Sequence, residues 1–209
     1  MKDEEMSMKA KKWTFLLTSI ATLALVTACT QSTSNTTASN TATTKTTSTT
    51  EAKKTSYFTD KDYDTSYDEK TAATVTLSGS SATVSGNGVA VSDSTVTISK
   101  SGTYVISGKS DGVQIKVDAG DSDDVHIVLD GATMTNTNAP INATSAGHVY
   151  LTLKDGTTST ISDSSSNSDE DADAVIFSKG DLTINGSGTL NIDAKKNNGI
   201  KANDSLHMN

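Results

Sequence analysis

From residue 71 onward, apolar and polar side chains alternate in short runs. They fall at 74–77 (TVTL), 82–84 (ATV), 89–91 (VAV), 95–98 (TVTI), 103–106 (TYVI), 113–117 (VQIKV) and 125–129 (VHIVL). Further runs follow at 149–153 (VYLTL), 174–177 (AVIF), 182–184 (LTI), 190–192 (LNI) and 206–208 (LHM). A period of two puts every second side chain on one face of a strand, and the Gly, Asn, Asp and Ser clusters between the runs supply the turns. Beyond residue 29 no apolar pattern of helical length occurs. The domain is therefore predicted to be all-β.

Spacing points to how the strands are arranged. With Ile127, Leu151, Ile184 and Met208 as equivalents, the separations are 24, 33 and 24 residues. The middle interval contains the polar run DSSSNSDED at 163–171, nine residues whose removal restores 24. Such a repeat, with two or three short strands per unit, predicts the coils of a parallel β-helix, a solenoid in which each coil buries its apolar face on the next. Asparagines at the corners, among them Asn136, Asn142, Asn185 and Asn198, suit hydrogen bonding from coil to coil. An antiparallel β-sandwich whose strand spacing coincides with this repeat is the alternative. Residues 56–70 carry Tyr57, Phe58, Tyr63 and Tyr67 and are expected to pack as a lead-in on the first coil.

The N-terminal part reads differently. From Met8 the chain runs MKAKKWTFLLTSIATLALVTAC, three lysines followed by an apolar stretch from Trp13 to Val26. That is the pattern of a secretory signal peptide, assigned to residues 1–28 with translation starting at Met8. Val26-Thr27-Ala28-Cys29 resembles the bacterial lipobox, so Cys29 is the expected lipidation site. Two acyl chains there would hold the protein on the outer face of the cell membrane. Simple cleavage after Ala28, leaving a free thiol, is the alternative. Residues 29–55 are predicted to form a disordered linker, since 15 of the 21 residues from 30 to 50 are Ser or Thr and such a segment buries too little to offset its ordering entropy. The domain then occupies 56–209.

Composition narrows the function. The net charge is −8, all 17 basic residues are lysine, and hydrophobic content is 33%, which argues against a nucleic-acid partner. In order along the chain stand YFTDKDYD, VTISKSGTYVISG, VHIVLDGATM, VYLTLKDGTTSTI, AVIFSKGDLTINGSGTLNI and NNGIKANDSL. Together they resemble a family of secreted bacterial proteins, the carbohydrate-binding-domain-containing proteins, which have right-handed parallel β-helices related to pectate lyases. The resemblance spans roughly residues 57–209. It implies binding of plant-type polysaccharide, including acidic pectic chains, with bound calcium as a candidate cofactor and no established catalysis. It also implies further coils of the GIKANDSL kind, so the domain is expected to be incomplete at its C-terminus.

Two sets of residues are candidates for binding. If Val125, Ile127 and Leu129 point inward, His126, Tyr150, Thr152, Thr183 and His207 point outward on neighbouring coils. Such a ribbon offers hydrogen bonds and one stacking ring to a sugar chain; a merely solvated face is the alternative. Lys179, on a turn, adds a cation for an acidic glycan. For calcium, which takes six to eight oxygens, the candidates are Asp118, Asp121, Asp123 and Asp124, and then Asp169, Asp171 and Asp173. The second set begins like an EF-hand loop, but Ala174 and Gly180 stand where Gly and Glu are needed. Both sets equally suit plain solubilising turns.

Enzymatic constellations are missing from the pattern. No metal-ligand spacing of histidines, nucleophile elbow or phosphate loop occurs, and there is no arginine to serve as a lyase base. The reading is a non-catalytic, lipid-anchored surface protein that binds polysaccharide. A structural or adhesin-like scaffold without sugar specificity is the alternative, and a polysaccharide lyase comes third.

Overall fold

The computed structural model describes residues 57–209. The predicted signal peptide, Cys29 and the linker lie outside the described residues. One short helix, α1 (Asp60–Tyr63), precedes fifteen strands. They are β1 (Ala73–Gly79), β2 (Ser81–Ser85), β3 (Val89–Ser92), β4 (Thr95–Ile98), β5 (Gly102–Asp111), β6 (Gln114–Asp118), β7 (Asp124–Thr135) and β8 (Ile141–Ser145). The remainder are β9 (His148–Leu153), β10 (Thr158–Ser162), β11 (Ala174–Ser178), β12 (Asp181–Gly186), β13 (Thr189–Asp193), β14 (Asn198–Ala202) and β15 (Leu206–Met208).

The strands form two sheets, and the chain passes from one to the other and back. A nine-stranded sheet has the path β15-β12-β9-β7-β5-β1-β2, with β10 and β13 joined at its side; a six-stranded sheet runs β14-β11-β8-β6-β4-β3. Every pairing between strands a coil apart is parallel. Ile127 pairs with Leu151, Leu151 with Ile184 and Ile184 with Met208. The repeat read from the sequence is thus the register of the sheet. The polar run 163–171 lies in the connection between β10 and β11.

Stacked rows of like side chains build the core. On the six-stranded sheet, Val96, Ile115, Ile141, Ile176 and Ile200 fall in one register row. On the other sheet Val75, Ile106, Leu129 and Leu153 do the same. Both rows belong to a single buried cluster that both sheets share. β-Branched residues fit this arrangement because their stiff side chains lie flat against identical neighbours. Each fully buried Val, Leu or Ile contributes about 1.5–3 kcal/mol. Two of the asparagines named above link successive repeats: Asn136 Nδ2 donates to Gly112 O (2.7 Å) and Asn198 Nδ2 to Asp173 O (3.1 Å), whereas Asn142 Oδ1 has no hydrogen-bond partner.

Two features depart from the sequence reading. The first four strands form antiparallel hairpins, β1 with β2 and β3 with β4. β2 and β3 end the two sheet orders and so cover edges that would otherwise offer unpaired backbone groups. The lead-in, moreover, does not rest on the first coil. It crosses the outer face of the nine-stranded sheet and meets β7, β9, β12 and β15. The physical reason is polar complementarity: the later coils carry Thr183, Asn185 and His207 at outward positions, which bond the acceptors of the lead-in.

Candidate functional site

Sequence reasoning placed His126, Tyr150, Thr183 and His207 on adjacent outward positions, and the register sets them side by side in one row. Thr152 lies in the next row, beside Asn185. The row is not a solvated face, however. Residues 57–67 cover it, and Tyr150, Thr152, Thr183 and Asn185 are all buried.

The contact is built around Asp62, which is 1% exposed. Its Oδ1 accepts hydrogen bonds from Thr183 Oγ1 (2.5 Å) and His207 Nδ1 (3.1 Å), and its Oδ2 from the backbone N–H (2.7 Å) and hydroxyl (2.9 Å) of Thr59. Asn185 Nδ2 donates to the carbonyls of Asp62 and Asp64, and Asn209 Nδ2 to that of Asp62. Burial alone would raise the Asp62 pKa. The bonds from Thr183, Thr59 and His207 outweigh it and hold the carboxyl well below the usual carboxylate range.

Proton positions in this network follow from counting. Thr183 spends its proton on Asp62, so His148 Nε2 donates to Thr183 Oγ1 (2.8 Å). Thr152 spends its own on Asn185 Oδ1 (2.6 Å), so His126 Nε2 donates to Thr152 Oγ1 (2.7 Å). Both imidazoles are thereby fixed as Nε2–H tautomers. The His148 ring stacks on Tyr150 with centroids 4.0 Å apart. Lys61 also reaches over the Tyr150 ring: its ammonium lies 4.8 Å from the centroid and pairs with Asp124. Burial, reinforced by Asp124, Asp62 and Asp181, pushes the Tyr150 phenol up to about 12.

Burial also lowers the pKa of His126, against the opposing pull of Asp64, and of His148, against Asp181, Asp62 and Asp124. The unfolded chain therefore takes up these protons first as pH falls. Stability is complete above the ordinary imidazole value of about 6.5 and declines as pH drops through it toward the lower folded values. Urea unfolding from pH 7.5 to 5 is expected to show this decline, and His126→Gln to reduce its slope. An unchanged slope in that variant would remove His126 from the account.

The acidic clusters do not converge. Asp118 pairs with Lys116 (2.7 Å), Asp121 accepts from Ser145 Oγ (2.8 Å), Asp123 caps Gly120 N–H (2.9 Å) and Asp124 binds Lys61. Asp169 accepts the backbone N–H groups of Asp171 and Ala172, while Asp173 pairs with Lys201 (2.6 Å). Among the described residues, no three His, Cys, Asp or Glu side chains gather to hold a metal ion. As placed, these carboxylates are engaged with separate lysines, hydroxyls and backbone N–H groups and do not make a calcium cage among the described residues.

Lys179 sits elsewhere, in the turn directly after β11 of the six-stranded sheet, beside an open cavity of about 470 Å³. Asn142, Thr144, Asp171, Phe177 and Asn203 line it too. The connection 163–173, which contains the polar insertion, builds one wall. Asp163 accepts from Lys195 N–H (2.6 Å) and Asn167 Nδ2 (3.2 Å), and the Asn167 carbonyl accepts from Lys196 Nζ (2.5 Å). So anchored, the insertion lays Ala172 on Phe177, which is 5% exposed and clusters with Ala139 and Ala174. Lys201 lies 5.9 Å above the Phe177 ring. Asn142 pairs with Phe177 in register and is buried with its Oδ1 lacking a hydrogen-bond partner. The cavity thus combines an apolar floor, the donors of Lys179 and Asn203, and the acceptor of Asp171. Sequence reasoning found Lys179 but missed Asn142 and Phe177; the signal was a phenylalanine at an outward position directly after a polar insertion.

Comparison with known proteins gives a consistent picture. The sequence profile of carbohydrate-binding domain-containing proteins matches residues 92–209. A protein of that description from Acetivibrio thermocellus is 39% identical over 115 residues, covering 52% of this chain and 40% of the relative. A solved structure, a gadolinium derivative of a polysaccharide lyase-like protein from C. thermocellum, superposes with a TM-score of 0.63 at 34% identity, covering 66% of this chain and 58% of that one. The chain thus spans less than two thirds of either relative's length.

Proposed function

The chain belongs to the family of carbohydrate-binding domain-containing proteins, and from that premise we propose that it binds polysaccharide, without catalysis, through the cavity beside the insertion. The strands are read as the coils of a right-handed parallel β-helix; the parallel registers and the 24-residue repeat support this reading. One observation carries the choice of site: this cavity is open, while the polar row on the other sheet is covered.

Its chemistry suits a sugar. Pyranose rings present apolar C–H faces and hydroxyls that both donate and accept hydrogen bonds. Phe177 offers the apolar contact, Lys179 and Asn203 donate, and Asp171 accepts. Asn142 adds a buried acceptor without a partner at the cavity wall. Calcium has no part in the proposal, since the acidic side chains are dispersed.

Retention of the full chain, in mild detergent, on a panel of insoluble and acidic polysaccharides tests this reading. The Lys179→Ala/Asn203→Ala double variant removes two hydrogen bonds of about 1 kcal/mol each and is expected to bind roughly tenfold or more weakly. Undiminished binding by the variant would move the site elsewhere. A folded wild-type chain that binds no glycan would favour the scaffold reading, and release of unsaturated sugars would point to lyase chemistry.

A further inference from the structure

The lead-in is bound to the sheet as a ligand is bound. It joins the fold covalently at β1, yet its hydrogen-bond partners Thr183 and Asn209 stand 121 and 147 residues further along the chain. The sheet offers donors: Thr183 Oγ1, His207 Nδ1, and the amides of Asn185 and Asn209. The lead-in offers the matching acceptors, and adds an ammonium, Lys61, for Asp124 and the Tyr150 ring. Phe58 packs 5.2 Å from the His207 ring.

Such an interface differs from a core. Its contacts are largely polar, so each side tolerates water when the two separate. The connection to β1 is suited to reorientation. Residues 65–71 are mostly exposed, and the hydrogen bonds of Asp64 with Ser66, and of Asp68 with Lys70, Thr71 and Ala72, stay within their own turns. Beyond these turns the segment makes an edge contact between Tyr67 and His126 and a 3.9 Å ion pair between Glu69 and Lys154. Swinging the lead-in outward therefore breaks its polar contacts with the sheet but few contacts of the connection and no strand pairing.

We propose that the row of His126, Tyr150, Thr183, Asn185 and His207 is a docking surface for the lead-in of a second copy of this chain, which exchanges with the molecule's own. A second copy is the partner because the recognition on the page is for this segment: a carboxylate and an ammonium on adjacent residues, flanked by Phe58 and Tyr63. Exchange of an identical element between protomers needs no new contact. The tethered segment acts at a millimolar effective concentration, so an isolated wild-type molecule closes on itself. Trans docking emerges when the cis contact is broken or copies are crowded.

Complementation tests this. A full-length Asp62→Ala chain has a faulty lead-in and an intact surface; a full-length Thr183→Val/Asn185→Ala chain has the converse. In mild detergent, native mass spectrometry of the mixture is expected to show a 1:1 complex at least tenfold more abundant than any dimer in either sample alone. Three monomeric samples, each with the circular dichroism of a β fold, would overturn the proposal. If the double variant fails to fold, a peptide spanning residues 57–70 is titrated onto the Asp62→Ala chain. It is expected to bind at least tenfold more tightly than the same peptide carrying Asp62→Ala. Equal affinity for both peptides, or no saturable binding, would likewise overturn the proposal.

Discussion

Replacing Asp62 by alanine is expected to free the lead-in while leaving the strands in place. The substitution removes a carboxylate that takes four hydrogen bonds, two of them from Thr183 and His207 on the sheet. Hydrogen bonds to a charged group contribute about 1.5–3 kcal/mol each. Loss of the two that bridge lead-in and sheet therefore weakens docking by about 3 kcal/mol or more. Amide exchange in residues 57–67 should accelerate about a hundredfold, with the amides of β7, β9 and β12 unchanged. Thr183→Val, which removes one bridge, should give a smaller acceleration. If the lead-in stays protected in Asp62→Ala, then Phe58, Tyr63 and Tyr67 hold it by packing and the polar network is incidental.

The same contact has a pH signature of definite sign. Asp62 is held below its ordinary pKa in the fold, so its stabilisation is fully present above the unfolded carboxyl value near 4. It is lost progressively as pH falls below that value toward the depressed folded one. Wild-type exchange in the lead-in should therefore approach that of the variant only in strongly acidic solution.

How much of this was legible depends on what period-two alternation encodes. It tells which side chains share a face, and so it gave the all-β reading and the row Ile127, Leu151, Ile184 and Met208 in its true register. It also assigned His126, Tyr150, Thr183 and His207 to one outward row. It does not tell what covers that face. Two apolar residues at outward positions carried a hint: Val128 is fully buried on the sheet the lead-in crosses, and Phe177 is buried beneath the insertion. Nor does alternation encode direction, which is why the antiparallel hairpins of the first four strands were not distinguished from coil strands. Acidic runs mislead for a related reason. Asp123 and Asp124 are adjacent, yet one caps a turn and the other pairs with the lead-in.

Gly186→Ala is expected to be among the most damaging single-methyl additions in the domain. Gly186 ends β12 opposite Leu153 of β9 and has φ +97°. A Cβ there would stand 2.3 Å from the Leu153 carbonyl oxygen and 2.8 Å from its nitrogen. Those atoms are backbone, and the oxygen also accepts the Gly188 N–H at 3.1 Å, so they cannot swing aside as a side chain would. Backbone strain of about 1–2 kcal/mol adds to an overpacking cost of about 1–3 kcal/mol. Gly112 separates the two contributions, since its φ is +105° but a Cβ there meets nothing within 4 Å. Gly112→Ala should therefore show the strain alone. Gly108 lies within β5, at the register irregularity with β7, and should behave like Gly186 because its Cβ would lie 2.4 Å from the Leu77 oxygen. Urea unfolding of the three variants decides the matter. Equal losses for Gly112→Ala and Gly186→Ala would mean that the corners are not stacked in backbone contact. A clearly larger loss at Gly108 and Gly186 than at Gly112 would mean that close approach of successive coils, and not turn conformation, is what reserves those positions for glycine.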